Sequence, residues 1–134
     1  MTTQKMIDYA ELALPYLVHF AKARRTVTYG QLSGLIGVHW RTATFWLGYI
    51  RDEICNQRGR PLLTAIVVNK QTRLPGADWL PEGTENLPSE DYHKRYEDEK
   101  ARVFSYSGWD NLLQELGIPP LSSEAIQAAE KILD

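Results

Sequence analysis

Three histidines, one cysteine, one acid-rich triplet and an Asn-Lys pair are the residues from which this chain could assemble chemistry. His19, His39 and His93 lie far apart, with no HxxxH or CxxC spacing to reinforce them as metal ligands. His19 stands between Val18 and Phe20 and reads as a side chain at the border of a helix. Cys55 is alone, so it can form neither an internal disulfide nor a zinc site. It closes an aromatic-rich segment and reads as a small buried hydrophobe. Arg51 and Arg58 nearby keep a reactive thiolate open, because cations lower a thiol pKa.

Nucleophilic and hydrolytic patterns are missing as well. There is no GxSxG elbow, and Ser33 in QLSGL falls inside a helix, where its hydroxyl is expected to bond back to the chain. A metal-dependent nuclease needs acids gathered around a divalent cation, usually with a strand-borne lysine. Asn69 and Lys70 end an apolar run that carries no acid, and Asp98-Glu99-Lys100 lies in a helix whose charges read as a solvated face. GQLSGLIG lacks the Lys-Ser/Thr of a phosphate-binding loop. The expectation is a non-enzymatic protein with no catalytic residue, no metal and no cofactor.

The charge distribution points elsewhere. The formal net charge is −2, yet residues 1 to 76 hold ten Lys and Arg against four acids, and the remainder holds five against thirteen. A chain split in this way has one part suited to a polyanion and another that repels it, unless the two halves neutralise each other across the fold. The first twenty residues, MTTQKMIDYAELALPYLVHF, are interrupted by Asp8 and Glu11 and read as neither signal peptide nor membrane span. With a single cysteine, a reducing cytoplasm is the expected compartment.

The elements that must position these residues follow from periodicity. Met6, Ile7, Ala10, Ala13, Leu14, Leu17, Val18 and Ala21 predict an amphipathic helix over residues 4 to 23, kinked or split at Pro15. Thr28 with Gln31 is a capping-box pattern, so a short helix starts near Tyr29 and stops at Gly37. Trp40 to Asn56 reads as a third helix with Phe45, Trp46, Tyr49, Ile50 and Ile54 as its buried stripe. Two helices joined by a brief turn form a helix-turn-helix pattern. Leu62 to Val68 is expected to be a buried strand, with Thr26-Val27 as a very short partner. Residues 74 to 91, rich in Pro and Gly, are expected to be loop, with Ser89 capping a charged helix. Ser107 to Asp110 reads as a second capping box before Leu112, Leu113 and Leu116, and SSEAIQAAEKILD as a final amphipathic helix.

Taken in order, Thr28-Tyr29-Gly30-Gln31-Leu32-Ser33, Gly37 and the Pro61-led apolar run resemble the DNA-binding domain of the O6-alkylguanine DNA alkyltransferases and alkyltransferase-like proteins. The likeness covers residues 26 to 76. It implies a winged-helix-like DNA-binding shape, with Tyr29 as a contact to a backbone phosphate. Val68 stands where that family holds its acceptor cysteine and Asn69 where it holds the activating histidine, so alkyl transfer is excluded on this alignment. The family's base-stack arginine has no match in register, although Arg41 lies nearby. The Val-Val-Asn-Lys-x-Thr-x-Leu-Pro-Gly string is also similar to small uncharacterised bacterial and phage-borne proteins.

The resulting expectation is one domain over residues 1–134, mainly α with a small β element (α+β). A basic winged-helix-like part spans 1–76, and an acidic loop and helical part spans 77–134. Its first functional reading is DNA binding of a regulatory, defence or mobile-element kind, with Trp40 and Arg41 opening the recognition helix. Arg24, Arg25, Arg58, Arg60, Lys70 and Arg73 would contact phosphates, with Pro75-Gly76 as the turn that aims the last two. The alternative is a small inhibitor, immunity or accessory protein that meets a basic protein partner through acidic residues 78–99, anchored by some of its four Trp and seven Tyr.

Overall fold

In the computed structural model, which describes residues 1 to 76, 79 to 81 and 89 to 133, Thr2 opens the first helix, α1 (Thr3–Lys22). Its hydroxyl oxygen accepts the Lys5 N–H at 3.2 Å, satisfying one of the amides that a helix start leaves unpaired. α1 is not split at Pro15: it is one unbroken helix through that residue. Glu11, whose carbonyl loses its N–H partner to the proline, is exposed, so that oxygen lies beside solvent. The helix buries Ala10, Ala13, Leu14, Leu17, Val18 and Ala21. It is the post of the fold, touching every other long helical segment before α6.

Beyond α1 the chain makes strand β1 (Val27–Thr28) and enters α2 (Tyr29–Ile36) directly. The capping box forms as the spacing predicts. Thr28 Oγ1 accepts the Gln31 N–H at 3.1 Å, and the Thr28 N–H donates to Gln31 Oε1 at 2.9 Å. Gly37 closes α2 with φ +76°, a left-handed turn that glycine adopts without penalty. Ser33 departs from expectation. Its hydroxyl is buried and has no hydrogen-bond partner among the described residues, rather than bonding back to the helix.

The third helix is continuous but changes pitch. A 3₁₀ turn (Trp40–Thr42) leads into α3 (Ala43–Tyr49), followed by a wider π turn (Ile50–Cys55) and another 3₁₀ turn (Asn56–Arg58). The π turn keeps Ile50, Ile54 and Cys55 all buried. Phe45 is not in the buried stripe: it is 52% exposed, while Ala43, Trp46 and Leu47 face inward. At about 100° per residue the inward arc runs from Trp46 through Ala43 to Leu47, and Phe45 lies about 100° away on the other side of Trp46, outside that arc.

Residues Leu62 to Val68 are all buried, as expected, but only Val67–Val68 form a strand, β2. Leu63–Ile66 wind as a 3₁₀ turn instead. A buried strand needs a partner for each backbone polar group, and β1 is only two residues long, so the preceding residues bond locally, as Ala65 N–H does to Leu62 O at 3.0 Å. The two strands pair in parallel, Val27 with Val67 and Thr28 with Val68. The expected partner, Thr26-Val27, is thus displaced by one residue.

The C-terminal part adds α4 (Ser89–Ser105), α5 (Trp109–Leu116) and α6 (Ser123–Leu133). Residues 77, 78 and 82 to 88 of the loop expected over 74 to 91, and the side chain of Ser89 that was expected to cap α4, lie outside the described residues. The capping box expected at Ser107 does not form: Gly108 is the N-cap, with no side-chain cap bond. The Tyr106 ring lies 2.6 Å from where a Gly108 Cβ would stand, and it packs edge-on against Trp109 with centroids 4.6 Å apart. Leu116 is exposed, whereas Leu112 and Leu113 are buried. No described helix is long and apolar enough to cross a membrane.

One carboxylate ties the two parts together. Glu99 was expected on a solvated face, yet it is 1% exposed. Its Oε2 accepts the Leu62 N–H at 2.8 Å, and its Oε1 accepts Arg102 Nη1 at 2.9 Å. Removing a buried acceptor strands its donor, which costs more than an ordinary hydrogen bond. Glu99→Ala is expected to lower stability by about 3 kcal/mol in urea unfolding. A loss under about 1 kcal/mol would show that the contact contributes no more than a surface pair.

Candidate functional site

Because β1 and β2 are parallel, both strands leave the sheet at the same end. Tyr29 follows β1 and Asn69 follows β2, so the start of α2 and the loop after β2 become neighbours. That loop is closed on itself. Asn69 N–H donates to Leu74 O and Arg73 N–H to Asn69 O, both at 2.9 Å, while Asn69 Oδ1 accepts the Gln71 N–H at 2.9 Å. The loop then returns to α2, where the Gly76 N–H donates to Tyr29 Oη at 2.6 Å. A Cβ on Gly76 would lie 3.0 Å from that oxygen, so the close approach favours glycine. Tyr29, expected to meet a phosphate, holds the Pro75-Gly76 turn in place.

Between these segments and the third helix lies a cleft of about 600 Å³. Tyr29, Trp40, Arg41, Thr44, Lys70 and Trp79 are among its walls, and no acid is among the described residues that line it. Trp40 is 57% exposed. Its ring stacks on His39 at 5.7 Å, and the Arg41 guanidinium lies over it at 5.4 Å from the centroid. The turn beneath it is fixed by polar contacts. His39 Nδ1 accepts the Arg41 N–H at 3.1 Å, Thr42 donates to His39 O at 2.7 Å, and Trp46 donates to Thr42 at 3.0 Å. The result is an exposed aromatic surface on a rigid base, with Arg41 and Lys70 at the same cleft.

The structure thus brings together Tyr29, Trp40, Arg41 and Lys70 of the residues proposed from sequence. Arg24, Arg25 and Arg73 gather at a separate cavity. Arg58 is exposed at the last position of the third helix and lines neither cavity. Arg60 is turned inward, pairing with Glu115 and donating to Ile54 O, with 12% of its side chain exposed. Thr44, Leu47 and Trp79 were not singled out as cleft residues. Trp40, Thr44 and Leu47 follow i, i+4, i+7 spacing, a second helical face that the stronger stripe of Trp46, Ile50 and Ile54 obscured.

No family model matches the chain, and no significant match is found among curated proteins or solved structures. The site must therefore be read from its own chemistry.

Opposite charges do meet across the fold, but only in part. Lys22 pairs with Asp110, Arg25 with Glu130 and Arg60 with Glu115, while Arg51 binds its neighbour Asp52 at 2.6 Å. The Arg51 guanidinium holds the Asp52 carboxyl below its usual range, against a smaller opposing effect of burial. Lys5, Arg24, Arg41, Arg58, Lys70 and Arg73 make no ion pair among the described residues. On the acidic side, Asp98 pairs with Lys94 and Glu97 with Lys100, and buried Glu99 cannot belong to an exposed acidic surface. Asp78, Glu82 and Glu85 lie outside the described residues. Among the described residues, no group of three or more His, Cys, Asp or Glu could hold a metal ion.

Cys55 is fully buried, and burial pushes its thiol up to about 12, with the Leu63 amide and Arg60 opposing weakly. Its proton is held more tightly in the folded than in the unfolded chain. This stabilisation is therefore fully present below the unfolded value of 9.0 and is lost as pH rises toward about 12. Urea midpoints between about pH 8 and pH 11 are expected to fall more steeply in wild type than in Cys55→Ala. Parallel pH profiles would contradict the buried, neutral thiol.

Proposed function

We propose that the chain is a non-enzymatic nucleic-acid-binding protein that presents a winged-helix-like unit, α2 to α3 with the Asn69–Leu74 loop, to DNA. The observation that carries this reading is the cleft walled by Trp40, which is exposed, and by Arg41 and Lys70, with no acid among its described lining residues. Aromatic faces stack on bases, and Arg and Lys bind phosphates, so the two kinds of group together match a nucleotide strand.

The position at which the resembling alkyltransferases hold their acceptor cysteine is Val68, fully buried in the parallel pair, which supports binding without alkyl transfer. A DNA partner and a lone, buried cysteine fit a reducing cytoplasm. The alternative, docking of a basic protein on residues 78–99, has less support, because Glu97 and Asp98 are matched by lysines and Glu99 is buried.

Fluorescence anisotropy with labelled duplex and single-stranded oligonucleotides tests the reading. Binding is expected at about 50 mM salt, where the phosphate contribution is strongest. Trp40→Ala is expected to weaken it by about 1–3 kcal/mol through loss of base stacking. Lys70→Ala should reduce the salt slope by about 1, uniformly across sequences. Absence of binding to either strand form at about 50 mM salt would overturn the proposal.

A further inference from the structure

A second cavity, of about 400 Å³, is walled by the turn after α1, the start of α2, the loop after β2, the C-terminal half of α4 and the end of α6. Arg24, Arg25, Arg73 and Lys100 line it, with Thr26 and Gln31 as uncharged polar neighbours. Four cations from three parts of the chain converge on one concavity, which costs electrostatic energy unless something negative occupies it.

The acids bonded to these cations offset only part of that charge. Arg25 is held by Glu130 at 2.8 Å, but the same carboxylate also bonds His19 at 2.7 Å. Lys100 pairs with Glu97 at 3.2 Å. Arg24 and Arg73 make no ion pair and no side-chain hydrogen bond among the described residues.

Both of these unpaired arginines share a backbone peculiarity. Arg24 has φ +57° and Arg73 φ +59°, and they are the two non-glycine residues with positive φ among the described residues. Arg24 occupies the left-handed position after α1, with its N–H on Ala21 O and the Arg25 N–H on Phe20 O. Gly37, Gly59 and Gly117 fill the equivalent place at three other helix ends. A left-handed conformation is harder for an L side chain than for glycine, and local strain of this kind concentrates at functional sites.

From this convergence we infer that the Arg24–Arg25–Arg73–Lys100 cavity is a phosphate-binding site, separate from the aromatic cleft. Guanidinium groups donate paired N–H bonds that match phosphate oxygens, and two unpaired arginines beside two partly offset cations suit a multiply charged phosphate. The phosphate could belong to a strand end or to a free phosphate compound. The inference does not rest on base stacking at Trp40.

The full chain is to be titrated with inorganic pyrophosphate at about 50 mM salt, with amide shifts followed by NMR. Saturable shifts are expected at Arg24, Arg25, Arg73 and Lys100 and not at Trp40 or Thr44. The double variant Arg24→Gly with Arg73→Gly removes both unpaired cations while placing glycine where φ is positive. Its melting temperature is expected to equal or exceed that of wild type, while pyrophosphate affinity falls at least about tenfold. No saturable shift in wild type, or unchanged affinity in the double variant, would overturn the site. Comparing 5′-phosphorylated with 5′-hydroxyl oligonucleotides assigns the source. A preference for the phosphorylated strand that the double variant loses supports a strand end, and equal binding of both with retained pyrophosphate binding supports a free phosphate compound. If DNA fails to bind while pyrophosphate still does, the cleft reading falls and this one stands.

Discussion

Two residue pairs set the geometry on which everything else depends. Val27 opposite Val67 and Thr28 opposite Val68 form a parallel contact between segments about forty residues apart, buried on all sides. Thr28 is both the last strand residue and the cap of α2, so the helix start is fixed to the sheet with no intervening linker. Parallel pairing then sends Tyr29 and Asn69 out at one end, and the hydrogen bond from Gly76 to Tyr29 closes the loop onto the helix. An antiparallel pair would have sent them in opposite directions, and neither cleft nor loop platform would exist.

The charge asymmetry of the chain resolves in two ways. Some of the N-terminal bases are neutralised by C-terminal acids: Lys22, Arg25 and Arg60 reach Asp110, Glu130 and Glu115 and hold α5 and α6 against the first half. These contacts are partly exposed and therefore contribute modestly to stability. Arg51 is matched by its neighbour Asp52, whereas Arg41 and Lys70 at the cleft and Arg24 and Arg73 at the second cavity have no carboxylate partner among the described residues. A formal charge near neutrality thus coexists with two locally basic concavities.

What was legible in the sequence was local. The Thr28–Gln31 box, the Gly37 stop and the apolar face of α1 each depend on residues within one or two turns of one another, and all appear in the structure. What was hidden depended on tertiary surroundings. Pro15 is tolerated because its side of α1 meets solvent, and Leu63–Ile66 coil because β1 is too short to pair with them. Ser107 loses its cap to a glycine that makes room for Tyr106, and buried Glu99 accepts from an amide 37 residues away. At the cleft, Trp40, Arg41 and Lys70 were named from residue type and Tyr29 from the alkyltransferase likeness, but their meeting required the parallel register. Phe45 was assigned to the core because hydrophobicity alone does not reveal which of two adjacent helix faces is covered.

The central claim, that nucleic acid lies against the aromatic wall of this cleft, can be read from the chain's own fluorescence. Of the four tryptophans, Trp46, Trp79 and Trp109 are at most 2% exposed, whereas Trp40 is 57% exposed, so acrylamide quenching reports almost entirely on Trp40. Addition of a saturating oligonucleotide is predicted to shield this residue and reduce quenching to the level of a Trp40→Phe variant. Quenching that stays unchanged while the oligonucleotide is bound would place the nucleic acid elsewhere and contradict the account.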